Sequence, residues 1–154
     1  MKKYKTGYTA GAFDVLHVGH LNLLERAKNE CEYLIVGVTC DEIIEKTKNH
    51  TPVIPQSERM RIVSALRCVD KVVLQDDLDK VKAWEKLHYD VLFSGSDWRG
   101  VERWKRYEIE LKKRGAKVIY FPYTQNVSST KIREKLSESR IKAKETVLLK
   151  ADKE

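Results

Sequence analysis

The sequence predicts an α/β fold. A single Rossmann-like domain, with a doubly wound five-stranded parallel sheet, occupies residues 1–136, and a charged C-terminal extension occupies residues 137–154. Three observations lead there. Short apolar, β-branched runs alternate with segments whose apolar residues recur every three or four positions. The runs are apolar almost without interruption, as strands covered on both faces must be. The length, 154 residues with 42% hydrophobic and 34% charged side chains, suits one core.

The elements come in this order. "YKTGYTAG" contains a first strand ending at Gly11, where glycine lets the chain turn. From Val18 to about Glu30, the positions Leu21, Leu24, Ala27 and Cys31 have helical spacing. "YLIVGVTC" is a buried strand, and Asp41 N-caps a short helix. "KTKNHTPVIP" has two prolines and no period, so it is a loop. "QSERMRIVSALRCV" is an amphipathic helix with Met60, Val63 and Leu66, or Ile62, Ala65 and Val69, inward. "DKVVL" is the third strand. "DLDKVKAWEKLH" is a helix with Val81, Trp84 and Leu87 on one side, and "YDVLFSG" is the fourth strand. "VERWKRYEIELKKRG" is a helix closed by Gly115, and "AKVIYFP" is the fifth strand. "SSTKIREKL" starts a last helix behind hydroxyl caps. Crossovers in such a sheet are right-handed. Its ligands bind beyond the carboxyl ends of the strands, where strand order reverses.

Composition excludes several classes. No apolar run approaches the ~20 residues of a membrane span, and "MKKYKTGYTAG" meets Asp14 and His17 before any apolar stretch, unlike a signal peptide. Cys31, Cys40 and Cys68 are odd in number, widely spaced and without a C-x-x-C pair, the usage of a reducing, cytoplasmic compartment. The net charge is +7, of which +3 comes from residues 131–154, where eight Lys/Arg meet five Asp/Glu. The remainder is mixed in sign, without the dense basic stripe and interleaved aromatics of a nucleic-acid surface. A mild positive excess suits small polyanions such as nucleoside triphosphates.

The chemistry concentrates in "GAFDVLHVGH", between the first strand and the first helix. A helix N-terminus there offers backbone N–H groups to an anion. Gly19 clears a path to that backbone. His17 and His20 stand three residues apart, so both project from one face of the first turn. Imidazoles so placed donate to phosphate oxygens and stabilise charge developing at phosphorus. Two other readings stand beside this one: a His-x-x-His zinc pair with Asp14 as a third ligand, and a purely structural cap.

With its surroundings, "GAFDVLHVGHLNLLERAK" resembles the nucleotidyltransferase superfamily that carries the H-x-G-H signature, and within it the cytidylyltransferases, nearest to those acting on glycerol 3-phosphate. "YLIVGVTCDE", Glu58–Arg59, "VDKVV", "GSDWRG" and "VSSTKI" match in the same order, so the resemblance covers residues 4 to about 136. It implies that a phosphomonoester oxygen attacks the α-phosphorus of CTP and releases pyrophosphate. Catalysis is then in-line positioning and charge neutralisation, with no protein nucleophile.

The resemblance also implies roles for residues. His17, His20 and Lys48 are catalytic, with Lys46 competing for the lysine's place and otherwise on the acceptor side. Ala12, Phe13, Asp14, Gly19, Gly95, Asp97, Tyr123, Thr124, Ser128, Ser129 and Thr130 bind the nucleotide. Arg59, Arg67 and Trp98 bind the acceptor, although Arg67 could equally form a structural pair with Asp70. Asp14 either orients its loop or meets magnesium indirectly; Mg2+ is the expected cofactor, held by the triphosphate. A homodimer is expected, without nucleic-acid or membrane partners. Ala12 stands where relatives carry Thr or Ser, Tyr123 where they carry arginine, and Asn126 where they carry glycine. The leading expectation is CDP-glycerol synthesis for cell-wall or capsule polymers. The alternatives are an adenylyltransferase, a cytidylyltransferase for phosphocholine, phosphoethanolamine or another polyol phosphate, and an inactive nucleotide-binding regulatory module.

Overall fold

The computed structural model describes residues 2–152. Five strands, β1 (Tyr4–Gly11), β2 (Cys31–Thr39), β3 (Lys71–Gln75), β4 (Val91–Gly95) and β5 (Lys117–Phe121), form one parallel sheet in the order β3-β2-β1-β4-β5. This is the doubly wound arrangement expected. Helices α1 (Val18–Glu30), α2 (Asp41–Lys48), α3 (Gln56–Ser64), α4 (Lys80–Leu87), α5 (Glu102–Lys113) and α6 (Ser129–Ala151) connect and follow the strands.

Alternation along the central strands builds two cores. Leu34, Val36 and Val38 of β2, with Val91 and Phe93 of β4, pack on one face against Leu24 and Ala27 of α1 and Val63 of α3. Ile35 of β2, Tyr8 of β1 and Leu92 of β4 point the other way, against Val81 of α4 and Trp104, Tyr107 and Leu111 of α5. Both faces are covered, so the central strands carry few polar side chains.

Strand order reverses between β1 and β4. Their pairing ends at Tyr8↔Leu92, although both strands run on, to Gly11 and Gly95. The sheet therefore parts at its carboxyl edge, the place where such folds bind ligands.

That edge is held by one side chain. Arg59 of α3 is fully buried, and its guanidinium donates to four groups. Nε reaches the Ile54 carbonyl at 2.8 Å, and Nη1 reaches the carbonyls of Ala12 at 2.6 Å and Thr39 at 2.7 Å. Nη2 pairs with Asp41 Oδ1 at 2.6 Å. The fork thus fixes the ends of β1 and β2, the start of α2 and the loop entering α3.

Several boundaries differ from the sequence reading. The cap of α2 is Cys40, with Asp41 as its first residue, and α2 runs to Lys48 inside the expected loop. Helix α3 stops at Ser64, because Ala65, Leu66 and Val69 close tighter i→i+3 bonds instead. The turn after β1 does not rest on Gly11. Phe13 and Val15 carry the left-handed backbone, each at φ 50°, while Gly11 leaves room for the Phe13 ring. Helix α6, of which the sequence reading placed only the start, continues through the charged C-terminal extension to Ala151, exposed from Glu134 onward. Among the described residues no helix is long and apolar enough to cross a membrane.

Replacing Arg59 by Met should destabilise the domain by about 3–5 kcal/mol in urea unfolding, because Asp41 and three carbonyls lose their partner. Arg59→Lys should recover only part of the loss, since one ammonium cannot span four acceptors.

Candidate active site

The first turn of α1 is closed by its two histidines. His17 is the N-cap, with extended backbone, and its Nδ1 accepts the Gly19 N–H at 3.0 Å. His20 answers: its Nδ1 accepts the His17 N–H at 3.2 Å. The rings stack with centroids 3.8 Å apart. This reciprocal cap decides the tautomer. A neutral imidazole has one N–H and one acceptor nitrogen. With both Nδ1 atoms accepting, each ring carries its proton on Nε2.

Burial lowers the pKa of both rings. His20 falls to about 4, through desolvation first and then the neighbouring His17 and Lys48, against an opposing pull from Asp14. Both are neutral at pH 7, and each keeps one N–H to donate. The structural-cap and phosphate-ligand readings are therefore compatible, because they use different nitrogens. Among the described residues no group of three or more His, Cys, Asp or Glu could hold a metal, so the pair has no third zinc ligand. Gly19 has a more local purpose than expected. A Cβ there would lie 2.8 Å from His17 Cε1 and 2.9 Å from Nδ1, so any other residue would push the capping ring away.

Asp14 organises the surrounding loops. Its buried carboxylate accepts the N–H groups of Val53 at 2.9 Å and Ile54 at 3.0 Å. Ser129 Oγ donates to its carbonyl at 2.6 Å, and Arg133 Nη1 stands 3.7 Å from its carboxylate. One residue thereby joins the β1 loop, the loop before α3 and the start of α6. At that helix start, Ser128 Oγ accepts the Lys131 N–H at 3.0 Å. The amides of Ser129 and Thr130 lie in the first turn, where no intrahelical acceptor is available, and so suit an anion. Asn126 adopts φ 65°, the left-handed conformation that asparagine tolerates.

A cavity of about 340 Å³ opens over the parted strands. It gathers Ala12, Phe13, Asp14, His17, Gly19, His20, Lys48, Gly95, Asp97, Trp98, Tyr123, Thr124, Ser128, Ser129 and Thr130. A second cavity, of about 530 Å³, adjoins it, with Ala12, Lys48, Asp97, Trp98 and Tyr123 common to both. Lys48 ends α2, and its pKa is lowered by burial first and then by Arg133. Tyr123 is largely exposed. Partial desolvation of its hydroxyl, then the neighbouring Asp97 carboxylate, raises its phenol pKa.

Three expected site residues lie elsewhere. Arg59 lines neither cavity, since all its contacts hold the sheet edge. Arg67 lies beyond the end of α3, outside both cavities, and Asp70 pairs with Lys28 at 2.6 Å instead. Lys46 is exposed and bound to Glu42 at 2.7 Å.

The structure adds residues that the sequence reading missed. Arg133 and Asn22 line the first cavity, and Lys80, Arg103, Gln75 and Trp104 line the second. Arg133 had a sequence signal: it stands four residues after Ser129, on the face that caps α6. Lys80 had none. It comes directly after the N-cap Asp79 like an ordinary helix lysine, yet the fold buries it to 7% exposure.

A family model described as Cytidylyltransferase-like matches residues 8–135. Glycerol-3-phosphate cytidylyltransferase of Bacillus subtilis is 35% identical over 133 residues, 84% of this chain and 95% of that protein. FAD synthase of Ferroglobus placidus is 39% identical over 107 residues, 70% of this chain and 68% of that one. The bifunctional protein HldE of Citrifermentans bemidjiense is 35% identical over 136 residues, 88% of this chain, which spans only 28% of that longer protein. The crystal structure of the lipopolysaccharide core biosynthesis protein from Thermoplasma volcanium GSS1 superposes with a TM-score of 0.66 at 23% identity, covering 80% of this chain and 99% of that one. The histidine-capped cavity at the strand switch, and the match that spans it, place the chain in the cytidylyltransferase-like family of nucleotidyltransferase enzymes.

Proposed function

We propose that the chain transfers CMP from CTP to glycerol 3-phosphate in the cytoplasm, forming CDP-glycerol and pyrophosphate. The observation that carries this reading is the reciprocal histidine cap. It leaves two neutral Nε2–H donors at a helix start, in one cavity with the first turn of α6. The likeness to the Bacillus enzyme, over nearly its whole length, supports the choice of substrates.

The acceptor's phosphate is its own nucleophile. With a second pKa of about 6, a phosphomonoester is dianionic for the most part at pH 7. One of its oxygens attacks the α-phosphorus in line. The bond from that phosphorus to the bridging oxygen breaks, and pyrophosphate leaves with the electron pair. His17 and His20 donate to the oxygens that gain charge, with no proton transferred. Lys48, shared by both cavities, neutralises charge where the two substrates meet. The amides of Ser129 and Thr130, with Arg133, receive the outer phosphates. Asp14 commits its carboxylate to backbone N–H groups, so the triphosphate itself would hold Mg2+, which would supply charge neutralisation there.

The second cavity suits the acceptor. Lys80 is buried, and among the described residues its Nζ has one partner, the Leu78 carbonyl at 3.0 Å. Burial, then Arg103, lowers its pKa to about 8, so it is still largely charged at pH 7. An acceptor phosphate would complete its pairing.

Pyrophosphate release with each of the four nucleoside triphosphates and glycerol 3-phosphate tests the reading. CTP should exceed the others, and a preference for ATP would overturn the cytidylyl assignment. His17→Asn keeps an acceptor for the Gly19 amide but loses the Nε2 donor. It should melt near the wild type and turn over at least ~100-fold more slowly. His17→Ala loses both the cap and the donor, and should also lose about 1 kcal/mol of stability.

Acid should act through His20. Its folded pKa lies below the unfolded value of 6.5, so the unfolded chain binds the proton first. Stability therefore falls as pH drops from about 6.5 to about 4, by at most ~3 kcal/mol. Denaturant titrations across that window should show a shallower loss for His20→Asn.

A further inference from the structure

Among the described residues, two buried side-chain polar atoms have no hydrogen-bond partner: Gln75 Oε1 and Trp104 Nε1. Each residue is only 5% exposed. They come from different elements, the end of β3 and the first turns of α5, yet both line the second cavity, beside Lys80 and Arg103. An unpaired buried polar group costs on the order of 1–3 kcal/mol. Two such groups on residues that line one cavity, one an acceptor and one a donor, call for partners that the protein itself does not supply.

We infer that Gln75 and Trp104 are specificity residues that read two hydroxyl groups of the acceptor, which makes this an enzyme for polyol phosphates. This rests on the proposed transfer to an alcohol phosphate and narrows its acceptor. One hydroxyl donates to the Gln75 amide oxygen, and a second accepts from the Trp104 indole N–H. A half-turn of the Gln75 amide exchanges its oxygen and nitrogen, so either end can meet the ligand. Lys80 and Arg103 take the phosphate.

The same cavity disfavours a quaternary ammonium acceptor. Such a cation needs free aromatic faces. Here the Arg103 guanidinium lies over the Trp98 ring at 5.5 Å and that of Arg106 over Tyr107 at 5.1 Å. Two of the four aromatic rings that line this cavity are already engaged by cations, and the charge beside them repels another.

The test compares glycerol 3-phosphate, n-propyl phosphate and phosphocholine on the wild type, Gln75→Met and Trp104→Phe. The melting temperature is read with magnesium and a non-hydrolysable CTP analogue, and kcat/KM from pyrophosphate release with CTP. On the wild type, glycerol 3-phosphate should raise Tm more than propyl phosphate does, and its kcat/KM should be at least tenfold higher. Both differences should shrink in each variant. Without ligand, Gln75→Met should melt at or above the wild type, because it removes an unpaired buried group. Equal Tm shifts from glycerol 3-phosphate and propyl phosphate on the wild type would overturn the inference. So would a variant that weakens both ligands alike, or phosphocholine as the best acceptor. A hydroxyl-dependent Tm shift without pyrophosphate release from CTP would instead uphold the hydroxyl readers and sink the cytidylyl reading.

Discussion

The carboxyl edge of this sheet is organised around the buried guanidinium of Arg59. A charge sealed from water is tolerated only when it is fully paired. Arg59 meets that demand with three backbone carbonyls and Asp41. Those carbonyls end strands or begin loops, so they would otherwise lie unpaired beside the crevice. Fixing the Ala12 carbonyl constrains the residues after it. The chain must reach the head of α1 within a short span, and it does so through Phe13 and Val15 at φ 50°. A β-branched residue in that conformation is strained. Such strain persists only where the surroundings over-determine the backbone. Arg59 on one side and the Asp14 carboxylate on the other supply that constraint.

Polar groups at this edge fall into two sets. Arg59, Asp14, Ser128 and Ser129 are consumed by the fold, each satisfying backbone or side-chain partners. The Nε2–H groups of His17 and His20, the Lys48 amine and the Lys80 N–H groups not given to the Leu78 carbonyl are left over. The histidines belong to both sets, since one nitrogen holds the helix and the other is free for chemistry. Such division lets a site be rigid before its ligand arrives, which transition-state stabilisation by fixed donors requires.

Much of this is legible in the sequence, for physical reasons. Doubly covered parallel strands must be continuously apolar, so β2 and β4 announce themselves. The H-x-G-H spacing carries the cap, because a helix start needs side-chain acceptors there. What escapes depends on tertiary surroundings. Nothing in "SERMR" tells an inward arginine from an outward one, so sequence alone puts Arg59 with the acceptor ligands. Lys80 looks like a solvated helix residue until Tyr89, whose hydroxyl bonds its carbonyl, and the neighbouring helices enclose it. Sequence alone also puts the turn after β1 on Gly11, because glycine is the usual bearer of unusual backbone. Here the constraint imposed by Arg59 and Asp14 moves that burden to Phe13 and Val15.

His17 and His20 serve as neutral donors whose proton is fixed on Nε2 by the cap they form together. Nitrogen-15 NMR of the imidazole side chains at pH 7 measures this directly. The expected spectrum shows two neutral rings, both protonated at Nε2 with Nδ1 accepting, and His20 staying neutral to well below pH 6. A proton on Nδ1 of either ring, or an imidazolium at pH 7 in the free protein, would contradict it.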